Sequence, residues 1–240
     1  MVSKEILSLQ HPFVKEWVAL RLEKKARDEA GQVLLMGEKM IRELAKKVSL
    51  EAIITVAPAP DIHAKEHYLV SEAVLKKITG LPAPDGFAAI APLPKPQKME
   101  GKQRLLILDR IADPGNLGTL LRTALALGWD GVFFTPGTVD PFNDKALRAS
   151  KGALFSLPFS YGKPLIEGYT PYLADTEGTP LSKVKASLPL ALILSNEGEG
   201  PAPWAEKYAH KIAIPMHNGV ESLSVATSGA ILLYELRITG

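Results

Sequence analysis

Residues 105–134 have the sequence LLILDRIADPGNLGTLLRTALALGWDGVFF, and this stretch decides the fold class. It begins with four apolar residues, 105–108, which predict a buried strand. A turn follows, and residues 117–127 predict a helix that Gly128 closes. Residues 131–134 predict the next strand. The order strand, loop, helix, strand is typical of a parallel sheet, so we expect an α/β domain.

Two further strands are predicted at 190–194 and 212–215, and each leads into a loop that contains glycine. The closing segment, 223–237, is predicted to be a helix. In an open α/β sheet, ligands bind in the crevice outside the carboxyl ends of the strands. Polar loops with glycine at three strand ends therefore indicate one shared site.

The first of these loops leads into its helix through Asn116-Leu117-Gly118-Thr119-Leu120-Leu121-Arg122. Asn116 is predicted to cap the helix, and Gly118 allows a partner to approach the backbone closely. Arg122 follows about one turn later on the same side, and its planar fork of donors matches a phosphate. The alternative is a capped helix with a solvated surface arginine. The loop lacks the G-x-G-x-x-G pattern of dinucleotide-binding proteins.

The second loop is Ser195-Asn196-Glu197-Gly198-Glu199-Gly200-Pro201. Glycines around a carboxylate suit a backbone that wraps a small ligand, although an ordinary glycine-rich turn has the same composition. The third loop begins at Ile214, and Ser222 or Ser224 is predicted to cap the closing helix. The free N–H groups of a helix N-terminus favour an anionic or polar ligand, whereas the plainer interpretation is a well-capped helix after a loop.

A proline-rich segment, APLPKPQK at 91–98, marks the predicted domain boundary. Its prolines and its lack of apolar periodicity predict an extended linker. We therefore predict a small α/β domain at 1–98 and a larger domain at 99–240. In the small domain, apolar patterns predict helices at 13–27, 38–47 and 70–78 and strands at 33–36 and 52–56.

The composition excludes several classes of protein. The chain has no cysteine, which rules out disulfides, thiolate metal sites and cysteine nucleophiles. The first ten residues do not resemble a secretory signal, and no apolar run approaches the length of about 18 residues that spans a bilayer. We therefore expect a cytoplasmic protein without a membrane segment. The net charge of +2 is only a weak indication of a polyanionic partner.

The loops contain three short motifs in a fixed order: Asn116-x-Gly118-x-x-x-Arg122, then Glu197-Gly198-x-Gly200, then Ile214-Pro215-Met216 followed by Glu221-Ser222-Leu223. Together they resemble the signature motifs of the SpoU/TrmH family of RNA methyltransferases, over residues 104–238. The resemblance implies a deep trefoil knot near the C-terminus, a rare exception to unknotted connections. It also implies a homodimer whose active sites lie near the subunit interface. Residues 35–47 resemble, more loosely, the small RNA-binding domain that often precedes this catalytic domain.

The resemblance also implies a cofactor, S-adenosylmethionine, bent within the knot and held largely by backbone groups of the second and third loops. The corresponding residues here are Leu194, Ser195, Asn196, Glu197, Gly198, Ile214, Pro215, Met216 and Leu223. Two residues depart from the family pattern. Ser195 stands where the family usually has glycine, which adds a side chain beside the expected cofactor. Ser224 stands where the family usually has asparagine, which places a shorter hydroxyl near the reacting groups.

Ribose methylation requires the 2'-oxygen in line with the methyl carbon and a route for its proton. The family assigns activation to the arginine of the first motif, here Arg122. Because arginine rarely loses its proton, we expect Arg122 to hold the phosphate and ribose and to stabilise developing oxyanion charge. The proton then passes either to the phosphate or to a transiently neutral arginine. Asn116, Glu197 and Ser222 are expected to hold loops and substrate.

The expected substrate is RNA, with ribosomal RNA favoured over transfer RNA by resemblance. Candidate phosphate contacts in the small domain are basic residues that solvated helix faces would also carry, namely Lys24, Lys25, Arg27, Lys46 and Lys47. His63 and His67 have a metal-compatible spacing, but without a further ligand nearby they are interpreted as surface histidines, and no metal is expected. The chemistry of His217, in the third loop, stays unassigned.

Two rival functions remain open at this point. A non-catalytic RNA-binding protein that kept the knot is favoured by the Ser224 departure, and failure to bind S-adenosylmethionine would support it. A nucleotide-dependent oxidoreductase is disfavoured by the missing glycine fingerprint.

Overall fold

A computed structural model of the protein describes residues 4–59, 61–164 and 166–237. The chain divides into two compact units, one of Met1–Pro94 with Phe142–Arg148 and one of Lys95–Pro141 with Ala149–Gly240. The passage from the first unit to the second falls inside the proline-rich segment. No helix in the described part of the chain is long and apolar enough to cross a membrane.

The first unit is built on a five-stranded mixed sheet in the order β1-β4-β3-β5-β2, in which β5 runs antiparallel to both of its neighbours. Helices α1 and α4 pack against each other and contribute to one core with the sheet. The elements in chain order are β1 (Lys4–Ile6), α1 (Pro12–Leu22), α2 (Lys24–Ala30), β2 (Gln32–Met36), α3 (Glu38–Leu44), β3 (Leu50–Thr55), β4 (Ala64–Val70), α4 (Glu72–Thr79) and β5 (Phe87–Pro92).

Three predictions for this unit are wrong. The helix predicted over 13–27 divides at Glu23, whose extended backbone (φ −115°, ψ 118°) separates α1 from α2. The predicted linker begins inside a strand, because its first two residues pair with β2 as the end of β5. His67 is buried rather than on the surface, since β4 is an interior strand that pairs with β1 on one side and β3 on the other.

The second part of the chain forms a six-stranded sheet in the order β11-β9-β10-β6-β7-β8, and every pairing in it is parallel. This sheet confirms the predicted α/β class. Helices α5 and α8 pack against each other. The elements from residue 104 onward are β6 (Arg104–Asp109), α5 (Pro114–Ala126), β7 (Gly131–Phe134), α6 (Asp144–Ser150), β8 (Phe159–Tyr161), β9 (Thr170–Pro180), β10 (Leu190–Ser195), α7 (Pro203–Tyr208), β11 (His210–Ala213) and α8 (Val225–Glu235).

The prediction that Asn116 caps helix α5 is wrong. The helix begins at Pro114, two residues before Asn116. Asp113 is the N-cap, and its Oδ1 accepts a hydrogen bond from the Asn116 backbone N–H at 2.8 Å. Pro114 occupies the first turn, where its fixed φ suits a helix and its missing N–H leaves no donor unpaired. At α8 the cap is Ser224, one of the two predicted serines, and its Oγ accepts from the Thr227 N–H at 3.3 Å.

The middle of strand β9 is not paired with β11, and this unpaired stretch forms part of the candidate site. Lys211 of β11 pairs with Leu173, but the next residue, Ile212, pairs with Thr179. Residues 174–178 therefore project out of the sheet as an enlarged bulge. Glycine is required at position 178, where the bulge rejoins the sheet, because a Cβ there would lie too close to the Ile212 backbone nitrogen.

Candidate active site

The carboxyl ends of β6 and β10 lie side by side, with Asp109 and Ser195 as partners in the last step of their ladder. A cavity of about 270 Å³ opens beside this edge. Its walls come from the second loop, the third loop, the first part of α8 and the bulge of β9. The second and third loops, far apart in sequence, thus contribute to one site, as expected from the rule for open α/β sheets.

Much of the predicted cofactor set lines this cavity. Six of these residues are in the wall, namely Ser195, Asn196, Glu197, Ile214, Met216 and Leu223, and they are joined by Ser222. Within the described part of the chain, Leu194, Gly198 and Pro215 are not lining residues. Leu194 is fully buried in β10, and the other two are exposed in their loops.

The residues of the first motif lie elsewhere. Arg122 is exposed on α5, and Asn116 is half-buried in the first turn of that helix. In the part of the chain that the structure describes, neither residue lines the cavity, and the exposed His217 of the third loop does not line it either. Among the described residues of a single chain, Arg122 therefore does not contribute to the wall that the predicted cofactor residues form.

A buried carboxylate, missed by the sequence analysis, anchors the second loop. Asp109 is 1% exposed and accepts hydrogen bonds from Thr135 Oγ1 at 3.0 Å, the Ala202 N–H at 3.0 Å and the Arg110 guanidinium at 3.1 Å. Ala202 directly follows the second loop, so Asp109 ties the end of that loop to the central strand. A signal was present, because an acidic residue at the end of an apolar strand needs partners if it is buried.

Arg110 reinforces this anchor in a conformation that is rare for a residue other than glycine. Its φ is +56°, and its guanidinium donates to the Glu199 carboxylate at 2.8 Å and to the Gly200 carbonyl at 2.6 Å. The hydrogen bond to Asp109, followed by the nearby charges, raises the pKa of Arg110 above its usual value. The arginine therefore stays charged and fastens the second loop to the end of β6.

Asn196 organises the interior of the second loop. Its side-chain amide donates to the Arg110 carbonyl at 2.9 Å, and its Oδ1 accepts from the N–H groups of Gly198 at 2.8 Å and Glu199 at 3.2 Å. Its own N–H donates to the Asp109 carbonyl at 3.0 Å. The predicted cofactor residue Asn196 thus shapes the loop with its side chain while it lines the cavity.

Glu197 joins the second loop to the closing helix. Its carboxylate accepts a hydrogen bond from the Val225 N–H, the first residue of α8. A negative charge at a helix N-terminus is favourable because the helix dipole is positive there. Glu197 therefore holds the wall formed by the second loop against the wall formed by α8.

The bulge of β9 supplies a wall that no motif predicted. Ala174, Asp175 and Thr176 line the cavity. Burial disfavours the charged form of Asp175, but hydrogen bonds from Lys211 at 2.8 Å and from the Glu177 N–H at 2.9 Å outweigh it and lower its pKa. Asp175 is therefore a carboxylate at neutral pH. Local pattern carried no signal for this role, because the bulge depends on pairing with β11.

The lining suits a small organic ligand with an apolar body and a positively charged end. The charged side chains of the wall, Asp175 and Glu197, are both carboxylates, and apolar residues such as Ile214 and Leu223 cover other parts. The Ser195 Oγ is buried without a hydrogen-bond partner among the described residues, so it has a free position for a ligand atom. No group of three or more His, Cys, Asp or Glu residues in the described ranges could hold a metal ion.

These features define a class: a parallel α/β domain with a ligand cavity enclosed by loops at the carboxyl ends of its strands. Residues 103–234 match the model of the SpoU rRNA Methylase family, and residues 11–89 match the model of the MRM3-like substrate binding domain. The chain belongs to the SpoU rRNA methylase family, as the motifs indicated.

Relatives and solved structures resemble the chain over nearly its full length. It is 35% identical to the 23S rRNA (guanosine(2553)-2'-O)-methyltransferase RlmP of Bacillus subtilis, over 98% of this chain and 99% of that protein. It is 34% identical to the uncharacterized tRNA/rRNA methyltransferase slr1673 of Synechocystis sp., over 97% and 93%. The AdoMet-bound rRNA methyltransferase from Sinorhizobium meliloti has a similar structure, with a TM-score of 0.85, 28% identity and coverage of 98% and 97%.

Proposed function

We propose that this protein transfers the methyl group of S-adenosylmethionine to a ribose 2'-hydroxyl of ribosomal RNA. The observation that carries the proposal is the meeting of the second and third family motifs at one cavity whose charged lining residues are both carboxylates. The names of the Bacillus and Sinorhizobium relatives support the substrate and the cofactor. Large-subunit ribosomal RNA is therefore the first substrate to test, and a ribosomal substrate implies a cytoplasmic location.

S-adenosylmethionine is proposed to bind in the cavity, where it would supply an electrophilic methyl group. The residues that would hold it are Ser195, Asn196 and Glu197 of the second loop with Ile214, Met216 and Leu223 of the third. The net positive charge of S-adenosylmethionine matches the carboxylates of Asp175 and Glu197.

Arg122 is proposed to bind the RNA phosphate and to stabilise charge on the ribose 2'-oxygen. The bound S-adenosylmethionine would supply the methyl group that the ribose 2'-oxygen accepts, and the 2'-oxygen would lose its proton to the phosphate or to a transiently neutral Arg122. Asn116 and Ser222 are proposed to position substrate or loops, and Glu197 holds the second loop on α8.

The separation of Arg122 from the cavity supports a homodimer in which each chain supplies its arginine to the partner's cofactor. Helices α5 and α8 pack together and carry exposed apolar side chains, Leu125 on α5 and Ile231 on α8. Such residues on adjacent helices suit a self-complementary interface.

The first unit is proposed to select the RNA, as the name of its family model suggests. Of the five candidate cations, Arg27 is excluded, because it is 2% exposed and its guanidinium donates to the Leu20 carbonyl at 2.8 Å. Lys24 is paired with Asp28 one turn along α2. Lys25 is paired with Glu29 in the same way, and Lys46 and Lys47 are exposed after α3, so these four lysines remain candidates for phosphate contacts.

A deep trefoil knot is proposed near the C-terminus. The supporting observation is the strand order, because the final strand β11 pairs with β9 although β10 precedes it in the chain. The segment after β11 then returns so that α8 packs against β10 and α5. A chain trace in an experimental density map tests this crossing.

Methyl transfer from labelled S-adenosylmethionine to unmodified 23S ribosomal RNA and to unmodified transfer RNA tests the function. The RNA products are digested and analysed by nucleoside mass spectrometry. Wild type is compared with Arg122→Ala and with Lys207→Ala, which removes an exposed cation of α7 away from the motifs. We expect a 2'-O-methyl nucleoside in 23S RNA from the wild type and the lysine variant only. Methylation of transfer RNA alone would change the substrate, and no transfer to either RNA would contradict the proposal.

A mixture of two inactive variants tests the dimer. Ile214→Trp fills the cavity, and Arg122→Ala removes the proposed RNA contact. If each site uses the partner's arginine, half of the randomly paired dimers contain one intact site, so activity returns to roughly a quarter of the wild-type rate. If Arg122 acts within its own chain, no mixed dimer has an intact site, and the mixture stays inactive.

A further inference from the structure

Ser195 is the last residue of β10 and is one of the residues that line the cavity. Its Oγ is buried and has no hydrogen-bond partner among the described residues. In that part of the chain, the other buried side-chain atoms without a partner are nitrogens of arginine or histidine. Among the described residues, the buried hydroxyl without a hydrogen-bond partner is therefore that of Ser195, which lies in the wall of the candidate active site.

Four other polar groups of the wall already have hydrogen-bond or ion-pair partners. Asn196 bonds within its loop, and Glu197 accepts from the first N–H of α8. Asp175 is paired with Lys211. The Ser228 hydroxyl donates to the Ser224 carbonyl at 3.0 Å, so it has a partner inside the helix. The Ser195 hydroxyl differs from these four groups, because it has no hydrogen-bond partner among the described residues.

A buried hydroxyl without a partner destabilises the free protein, and natural proteins keep few of them. The backbone of Ser195 is that of an ordinary strand residue paired with Asp109, so alanine could occupy the position without strain. A ligand atom that completes the hydrogen bond gives the hydroxyl a function.

We propose that the Ser195 hydroxyl forms a direct hydrogen bond to the bound cofactor and sets this protein's affinity for it. The inference rests on the proposed use of S-adenosylmethionine. Because the hydroxyl both donates and accepts, its partner is a nitrogen or oxygen of the adenosine or amino-acid part, which S-adenosylhomocysteine shares. Affinity for the cofactor and for the product should therefore depend on Ser195 to the same degree.

Isothermal titration with S-adenosylmethionine and with S-adenosylhomocysteine tests the proposal, together with thermal melting of the ligand-free protein. The variants are Ser195→Ala, Ser195→Gly and the control Thr79→Ala, which removes a buried hydroxyl of the first unit that donates to the Leu75 carbonyl at 2.8 Å. We expect Ser195→Ala and Ser195→Gly to bind both compounds about 3–10-fold more weakly, the range for one lost hydrogen bond. The control should bind as the wild type does.

The melting temperature separates a ligand contact from a structural role. Ser195→Ala should melt at the same or a higher temperature without ligand, because it removes an unpaired buried hydroxyl. Wild-type affinity in both Ser195 variants overturns the proposal, and so does a lower melting temperature with unchanged affinity. If the wild type binds neither compound, the proposed function itself fails, which is a different outcome from a wild type that binds and variants that bind equally well.

Discussion

Replacing Asp109 by alanine should destabilise the second unit and weaken cofactor binding together. The carboxylate is almost fully buried at the end of β6 and accepts from Thr135, Ala202 and Arg110. In the variant, the buried Ala202 N–H loses its acceptor, and the Arg110 guanidinium loses one of its carboxylate partners. The end of the second loop is then no longer tied to the central strand.

The magnitude follows from those three bonds. An unsatisfied buried N–H costs about 1–3 kcal/mol, and each of the other two lost bonds adds about 1 kcal/mol. The free energy of unfolding should therefore fall by about 3–5 kcal/mol. For a chain of this size, each kcal/mol lowers the melting temperature by about 2–4 °C, so a fall of about 6–20 °C is expected.

Asp130→Ala is the matched control. Asp130 also accepts two hydrogen bonds, from the N–H groups of Gln103 at 3.0 Å and Arg104 at 2.9 Å, but these lie at the opposite end of β6. Its loss should lower the melting temperature by less, because Asp130 is only half-buried and water can replace it. At a temperature where both variants are folded, Asp109→Ala should bind S-adenosylmethionine at least about tenfold more weakly, whereas Asp130→Ala should bind as the wild type does.

Calorimetric melting and isothermal titration measure the two effects. The reasoning is refuted if Asp109→Ala melts within about 2 °C of the wild type, since three buried bonds cannot be lost at so small a cost. It is also refuted if both variants lose affinity equally, because the effect would then reflect general destabilisation of the sheet.

Three further predictions concern the bulge of β9, its carboxylate and the packing of α8. Gly178→Ala places a Cβ 2.4 Å from the Ile212 backbone nitrogen, so it should lower the free energy of unfolding by about 3 kcal/mol in urea titrations; a loss below about 1 kcal/mol would contradict the tight approach. Gly229→Ala places its Cβ against the side-chain ends of Leu120 and, at 2.7 Å, of Leu194 (Cδ1), which can shift more easily than backbone, so its loss should be smaller, about 1 kcal/mol, and the opposite ranking of the two variants would be inconsistent with this packing. The lowered pKa of Asp175 means that its charged form adds stability above the unfolded value of 3.8, and this stability is lost as pH falls through the lower folded pKa. Asp175→Asn should therefore melt below the wild type at pH 7 and approach it in scans below pH 3.8, and a difference that persists or grows in acid would refute this assignment.

Short-range pattern was sufficient for the central part of the sheet. Strands β6, β7 and β10 are continuous apolar runs, because strands of a parallel sheet are covered on both faces. Their boundaries were predicted within about two residues. The three-residue strands β1 and β8 were missed, because so short a segment shows no periodicity, and the longer strands β4, β5 and β9 were missed as well.

Helix starts were harder to predict where two signals competed. Asn116 and Asp113 are both good capping residues, and the proline at position 114 decided between them by occupying the first turn. At α8, two serines were candidates, and Ser224 became the cap because the helix begins directly after it. In each case the cap depends on where the backbone leaves the extended conformation, which residue type alone does not specify.

The sequence by itself determined the parallel α/β class, the family and seven of the residues that line the cavity, because these depend on apolar runs and on motifs read within short segments. Only the tertiary structure decided that residues 174–178 leave β9 to form a wall, that Asp109 and Arg110 fasten the second loop, and that Arg122 lies away from the cavity in a single chain. The physical reason is that each of these features depends on pairing or hydrogen bonding between groups distant in the chain. Such contacts leave no local periodicity in the sequence.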